Sequence, residues 1–156
     1  MSNAYPLCMI PRDDSDASNC QLEVRVLVVD DSHDAANVLT AVLLSANFSA
    51  RAAYDGPSAV EATSSFLPHV VLLDLDMPMM DGYATAERMR QLDLENTPLL
   101  VAHTSKSDVE SIAATAHAGF DLHISKPYEV QYLVDLLLRT LSVRLCGGQP
   151  LRLRRD

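Results

Sequence analysis

Glycine and proline are sparse, five and eight among 156 residues, which excludes collagen-like and low-complexity chains. The three cysteines, Cys8, Cys20 and Cys146, are odd in number and lack a C-x-x-C spacing, so neither a disulfide framework nor a zinc knuckle is expected. Long apolar runs are missing: the longest uncharged apolar stretch, Val38 to Ala46, is far too short to cross a bilayer. Met1 to Asn19 also lacks the basic start and apolar run of a signal peptide. Positive charge is scarce, with 12 Lys and Arg against 21 Asp and Glu, and a formal net charge of −9 repels phosphate backbones and anionic lipid. Neither nucleic acid nor a membrane is expected as a direct partner, and a reducing, cytoplasmic setting fits best. Five of the twelve basic residues, Arg139, Arg144, Arg152, Arg154 and Arg155, fall in the last eighteen positions.

What is present is a chain of one domain's length, 48% hydrophobic and 21% charged, long enough to bury about two-thirds of its unfolded surface. Residues 1–23, with Pro6, Pro11 and the acidic Asp13, Asp14 and Asp16, show no periodicity and read as a flexible lead-in. The folded unit is expected over 24–145, and 146–156 as a basic tail, a solvated end or a docking segment too short to fold alone. Within the unit, short aliphatic runs alternate with amphipathic stretches, the pattern of βα units around a parallel sheet.

Five strands are predicted: Arg25 to Val29, Phe48 to Tyr54, Val70 to Leu73, Leu99 to His103 and Leu122 to Ile124. The third is apolar on both faces and belongs at the sheet's centre. Five helices are predicted over Asp34 to Ala46, Ser58 to Phe66, Tyr83 to Gln91, Ser107 to His117 and Glu129 to Val143. Val38, Leu39, Val42 and Leu43 would form the core stripe of the first, and Val130, Leu133, Val134, Leu137 and Leu141 that of the last.

Ligand sites in open α/β sheets lie at the carboxyl ends of the strands. There the first strand delivers Asp30 and Asp31, the third Asp74, the fourth Thr104 (or Ser105), and the fifth Lys126. Three converging carboxylates must share protons or hold a hard divalent cation, and oxygen ligands favour Mg²⁺ or Mn²⁺. With a lysine point charge and a hydroxyl donor beside them, the set describes phosphoryl transfer to Asp74. The bland alternatives are helix-capping acids for Asp30 and Asp31 and an exposed strand-end lysine for Lys126.

The ordered motifs V-L-V-V-D-D-S, V-V-L-L-D-L-D-M-P-M-M-D-G, L-V-A-H-T-S and I-S-K-P resemble the receiver domain of two-component response regulators over about residues 24–143. The resemblance implies a flavodoxin-like, doubly wound α/β fold: a five-stranded parallel sheet of order 2-1-3-4-5, with helices one and five on one face and two to four on the other. It implies Asp74 as phosphoacceptor, Asp30 and Asp31 with the backbone carbonyl of Asp76 as metal ligands, and Thr104 and Lys126 as phosphoryl-binding groups. The Lys126–Pro127 bond is often cis in that family. The implied partners are a histidine kinase or histidine phosphotransfer protein, and an unknown output protein on the surface of helix four, strand five and helix five. A second copy of the chain is a further candidate partner.

The sequence departs from the family at His123, where a switching Tyr or Phe is usual, and at His103, where an aliphatic residue is common. His123 either changes rotamer as the aromatic would, adding pH sensitivity, or faces solvent. His103 is expected to face packing or solvent, and the loop methionines Met77, Met79 and Met80 to pack. Asp76 and Lys106, at positions that tune hydrolysis in the family, are expected to pair over the acyl phosphate. Two other readings stay open: a phosphorylation-independent scaffold, and a haloacid-dehalogenase-like phosphotransferase using Asp74 and Asp76, for which Pro78 is a poor match.

Overall fold

The computed structural model describes residues 20–105, 108–147 and 151–153. Residues 1–19 of the expected lead-in, Lys106 as a partner for Asp76, Ser107 as the start of the fourth helix, and residues 148–150 and 154–156 of the basic tail lie outside this set.

Chain order is β1 (Cys20–Leu22), β2 (Arg25–Val29), α1 (His33–Ser45), β3 (Ser49–Ala53), α2 (Gly56–Phe66), β4 (Val70–Leu73), α3 (Gly82–Arg90), β5 (Leu99–Thr104), α4 (Val109–Ala118), β6 (Leu122–Ser125), α5 (Val130–Cys146) and β7 (Leu151–Leu153). The main sheet is parallel throughout in the order β3-β2-β4-β5-β6, the predicted 2-1-3-4-5. Every residue of β4 and β5 is buried, as central strands covered on both faces require. The edge strand β3, Ser-Ala-Arg-Ala-Ala, is partly exposed.

Alternation along the strands divides the apolar side chains into two cores. One joins Val26, Val28, Leu72 and Val101 to Leu43 of α1 and Leu133, Leu137 and Leu141 of α5. The other joins Leu27, Val71, Leu73 and Leu100 to Ala59 of α2, Ala86 and Met89 of α3 and Ala118 of α4. Burial of each such leucine stabilises by about 1.5–3 kcal/mol relative to exposure, and the opposed faces fix which helices lie where.

Local signals place the helix ends. Ser32, Asp55, Asp81 and Asp108 cap α1 to α4, each side chain accepting an N–H from the first turn. Helix α2 ends at Leu67, left-handed at φ 51°, before Pro68, and α4 ends at Gly119, φ 98°. Helix α1 is tied to the adjoining edge by the His33 ring stacked on Tyr54 at 3.9 Å, while the Tyr54 hydroxyl donates to Asn37 Oδ1 at 2.6 Å.

Some expectations are corrected. Val38 is 65% exposed and Val130 37%, so neither lies in the core: both line an open groove between α1 and the start of α5. Helix α5 runs on to Cys146, past the predicted end at Val143. The short parallel pair of β1 with β7, joining Cys20–Leu22 to Leu151–Leu153, is a long-range contact with no periodic signal at either end. Cys146 is disulfide-bonded, although the odd cysteine count gave no reason to expect a bridge.

Candidate functional site

Each strand of the sheet's central trio ends in a site residue. β2 runs into Asp30, 3% exposed, β4 into Asp74, 8% exposed, and β5 ends on the fully buried Thr104. Carboxylate oxygens of Asp30, Asp31 and Asp74 lie within 4.8 Å of one another. From the β6–α5 loop, Lys126 places Nζ 3.1 Å from Asp30 Oδ2 and 3.8 Å from Asp74 Oδ1. Its bond to Pro127 is cis. Its backbone N–H donates to the Thr104 carbonyl at 2.8 Å, which ties this loop to the end of β5.

The capping reading of the acidic pair is answered by geometry. Ser32 is the N-cap of α1, accepting the Ala35 N–H, while Asp30 Oδ1 accepts the Ser32 N–H at 2.9 Å and Oδ2 turns to Lys126. Asp31 is exposed and Asp30 and Asp74 are buried, so the trio opens toward solvent on one side. A hard cation suits this all-oxygen donor set, with the exposed side left for water or phosphoryl oxygens.

Asp74 is held by its backbone as well: its N–H donates to the Val29 carbonyl at 2.9 Å. Burial pushes its carboxyl pKa up to about 6; Lys126 opposes this, the Asp30 charge adds to it, and the Asp76 backbone N–H lowers it again. Helix α3 begins so close beneath this strand end that a Cβ on Gly82 would stand 2.3 Å from the Asp74 carbonyl oxygen. Only glycine fits there.

The other predicted residues fall as follows. Asp76 has an exposed side chain beside the site. His123 is half-buried, its Nδ1 3.5 Å from Thr115 Oγ1 on α4, so it does not simply face solvent. His103 is buried, 2% exposed. Met77 is buried, but Met79, left-handed at φ 67°, is fully exposed rather than packed.

Sequence reasoning did not find the groove beside the site. A cavity of about 510 Å³ runs between α1 and the β6–α5 loop, with Val38, Leu39 and Val42 on one wall and His103, Tyr128 and Val130 on the other; Asp30 and Lys126 also line it. The signal was present in the apolar excess of α1, which reads as core although Val38 stays 65% exposed and lines the groove.

Known proteins share this fold and much of this sequence. A transcriptional regulatory protein DltR of Streptococcus agalactiae is 33% identical over 131 residues, 83% of this chain and 58% of the relative. A transcriptional regulatory protein PrrA of Mycobacterium tuberculosis is 33% identical over 110 residues, 70% of this chain and 46% of the relative. The chain thus spans about half the length of these curated relatives. Among solved structures, a response regulator signal receiver domain from Bermanella marisrubri superposes with a TM-score of 0.65 at 30% identity, covering 72% of this chain and 93% of that one. The chemotaxis protein CheY4 of Vibrio cholerae, 24% identical, shares the fold with a TM-score of 0.69 over 76% of this chain and 98% of its own. Residues 26–138 match the family model of the response regulator receiver domain, and the chain belongs to that family.

Proposed function

We propose that this domain is a phosphoacceptor switch that takes a phosphoryl group on Asp74 from a histidine kinase or histidine phosphotransfer protein. The observation carrying the reading is the meeting of Asp30, Asp31 and Asp74 within 4.8 Å, with the Lys126 ammonium 3.8 Å from Asp74.

Asp74 stands as the nucleophile, its backbone fixed by Val29 and its Oδ1 3.8 Å from the Lys126 ammonium. One carboxylate oxygen bonds to phosphorus as the phosphorus–nitrogen bond of the donor histidine breaks, and the imidazole leaves. Asp30, Asp31, Asp74 and the Asp76 carbonyl would hold Mg²⁺ or Mn²⁺, which when bound offsets repulsion between the carboxylates and an anionic donor. Lys126 pairs with a phosphoryl oxygen, and the Thr104 hydroxyl donates to another. That pull on Thr104, at the end of β5, gives the phosphorylated state contacts the free state lacks, as a population shift requires. The shift is read on the α4, β6 and α5 surface, with His123 beside α4 in place of the usual aromatic. The donor protein's histidine would reach Asp74 by laying an apolar face along Val38 of α1, on the groove leading to Lys126. A histidine kinase of the cytoplasm is the natural donor, and the output is contact with a protein rather than turnover of a substrate.

Incubation with Mg²⁺ and a small acyl phosphate tests the reading by intact mass. One phosphate per wild-type chain and none on Asp74→Asn are expected. Continuous turnover of the donor by the Asn variant, or labelling that persists in it, would place the chemistry elsewhere.

A further inference from the structure

We propose that His103 and Tyr128 form a positioning pair that sets the Lys126 ammonium against the site carboxylates; the inference rests on the phosphoacceptor reading for its consequence, but its geometry is independent of it. Along β5, Val101 packs into the α1/α5 core and Ala102 into the opposite one, so alternation turns His103 toward α1 and α5. There it is 2% exposed, at a position where an aliphatic side chain would pack without leaving a polar atom unsatisfied. Among the described residues its Nε2 has no partner of good hydrogen-bond geometry, its Nδ1 meets the Tyr128 hydroxyl at 3.4 Å, and the Val29 backbone supplies the ring's other polar neighbour. An imidazole this poorly satisfied costs stability in a core, so its one side-chain contact, with Tyr128, is where a compensating role is to be sought.

Tyr128 lies two residues beyond Lys126, in a loop only four residues long between Ser125 and Val130. Two tethers hold that loop, and both end on neighbouring residues of β5. The Lys126 N–H donates to the Thr104 carbonyl at 2.8 Å, and the Tyr128 hydroxyl reaches His103. Lys126 is thus fixed from before and after, and its long side chain, about one-third exposed, is directed onto Asp30 rather than left to solvent. Burial keeps the phenol protonated, pushed up to about 12, and the imidazole neutral, pulled down to about 4, so the contact persists unchanged across neutral pH. A separation of 3.4 Å is long for an O–H···N bond, and the pair's effect is therefore on geometry more than on stability.

The test uses the whole chain with three substitutions: Tyr128→Phe, which removes only the hydroxyl; His103→Leu, which fills the space without polar atoms; and His103→Asn, which returns an amide near the position of Nδ1. Lys126 modification by a small acylating reagent, followed by peptide mass without metal or phosphodonor, reports how well the ammonium is held. Acylation at Lys126 should rise about threefold to tenfold in the Phe and Leu variants, stay near wild type in the Asn variant, and rise no further in the Phe/Leu double variant. With Mg²⁺ and a small acyl phosphate, the maximal phosphorylation rate should fall by a similar factor at an unchanged half-saturating donor concentration. Thermal melts verify that each variant folds. Unchanged Lys126 acylation in both Phe and Leu variants overturns the pair, whatever the phosphate result. Raised acylation together with a wild-type chain that takes no phosphate leaves the pair intact and removes the phosphoacceptor reading instead.

Discussion

As the proposed phosphoacceptor, Asp74 would need a charged carboxylate that its burial opposes, and the conflict is measurable. Its carboxyl pKa, about 6 in the fold against 3.8 ordinarily, means that the folded state holds this proton where the unfolded chain has lost it. Stability from this group is therefore complete below about pH 4 and is lost as pH rises through about 6. In metal-free buffer at pH 7, Asp74→Asn should be more stable than wild type by about 1–3 kcal/mol, the difference vanishing near pH 4. Urea denaturation at both pH values checks it, and an Asn variant weaker than wild type at pH 7 would contradict the assigned burial. Gly82 makes a second test at this scale. An added methyl would strike backbone atoms, the Asp74 carbonyl oxygen at 2.3 Å and Leu75 Cα at 2.7 Å, which cannot swing aside. Gly82→Ala should cost about 2–3 kcal/mol in the same denaturation series; an unchanged midpoint would mean that α3 moves freely against β4.

Among the elements, Arg90 at the end of α3 is the main tie at the sheet's opposite end. Its guanidinium donates to the Gly119 carbonyl at 2.9 and 2.7 Å, to the Pro98 carbonyl at 2.9 Å, and to Asp121 Oδ2 at 2.7 Å. One planar fork thus joins α3, the entry to β5 and the α4–β6 turn. Arg90→Ala should destabilise by about 2–4 kcal/mol, and Arg90→Lys should recover little of it, since a single ammonium cannot span three acceptors. Full recovery by lysine in thermal melts would reduce the tie to net charge.

What the sequence revealed at this scale follows from range. Val70 to Leu73 matched its predicted bounds because a strand apolar on both faces can only be central. The caps Asp55 and Asp108 moved the starts of α2 and α4 by two residues, since Asp55-Gly56 reads as a turn until the Ser58 N–H is seen to reach Asp55 Oδ1 at 2.7 Å. The convergence of Asp30, Asp31, Asp74, Thr104 and Lys126 was legible because topology carries the ends of four strands to one edge. The groove, the His103–Tyr128 contact and the β1–β7 pair were not, as each depends on how far a neighbour reaches across a face, which periodicity along the chain does not encode.

For the molecule as a whole, pH acts in two directions. The His69 imidazole, pulled down to about 4 mainly by burial, accepts the Arg25 N–H at Nδ1 and must stay neutral to do so. A depressed histidine contributes stability that is present above its ordinary value of 6.5 and is lost as pH falls toward 4, opposite in sign to Asp74. His69→Asn, which keeps an acceptor but does not titrate, should flatten the loss of stability between pH 6.5 and 4; an unaltered pH profile in thermal melts would contradict this assignment. Among the described residues no helix is long and apolar enough to cross a membrane, and the two cores account for the placement of all five helices about the sheet.

The acidic edge and its lysine are the centre of the account, and phosphate uptake examines them together. Wild-type chain and Asp74→Asn, each given Mg²⁺ and a small acyl phosphate and then weighed intact, form the decisive pair. Gain of a single phosphate by the wild type, abolished by chelating the metal and absent in the variant, is predicted. A wild-type chain that stays unmodified while a control receiver domain is labelled would contradict it.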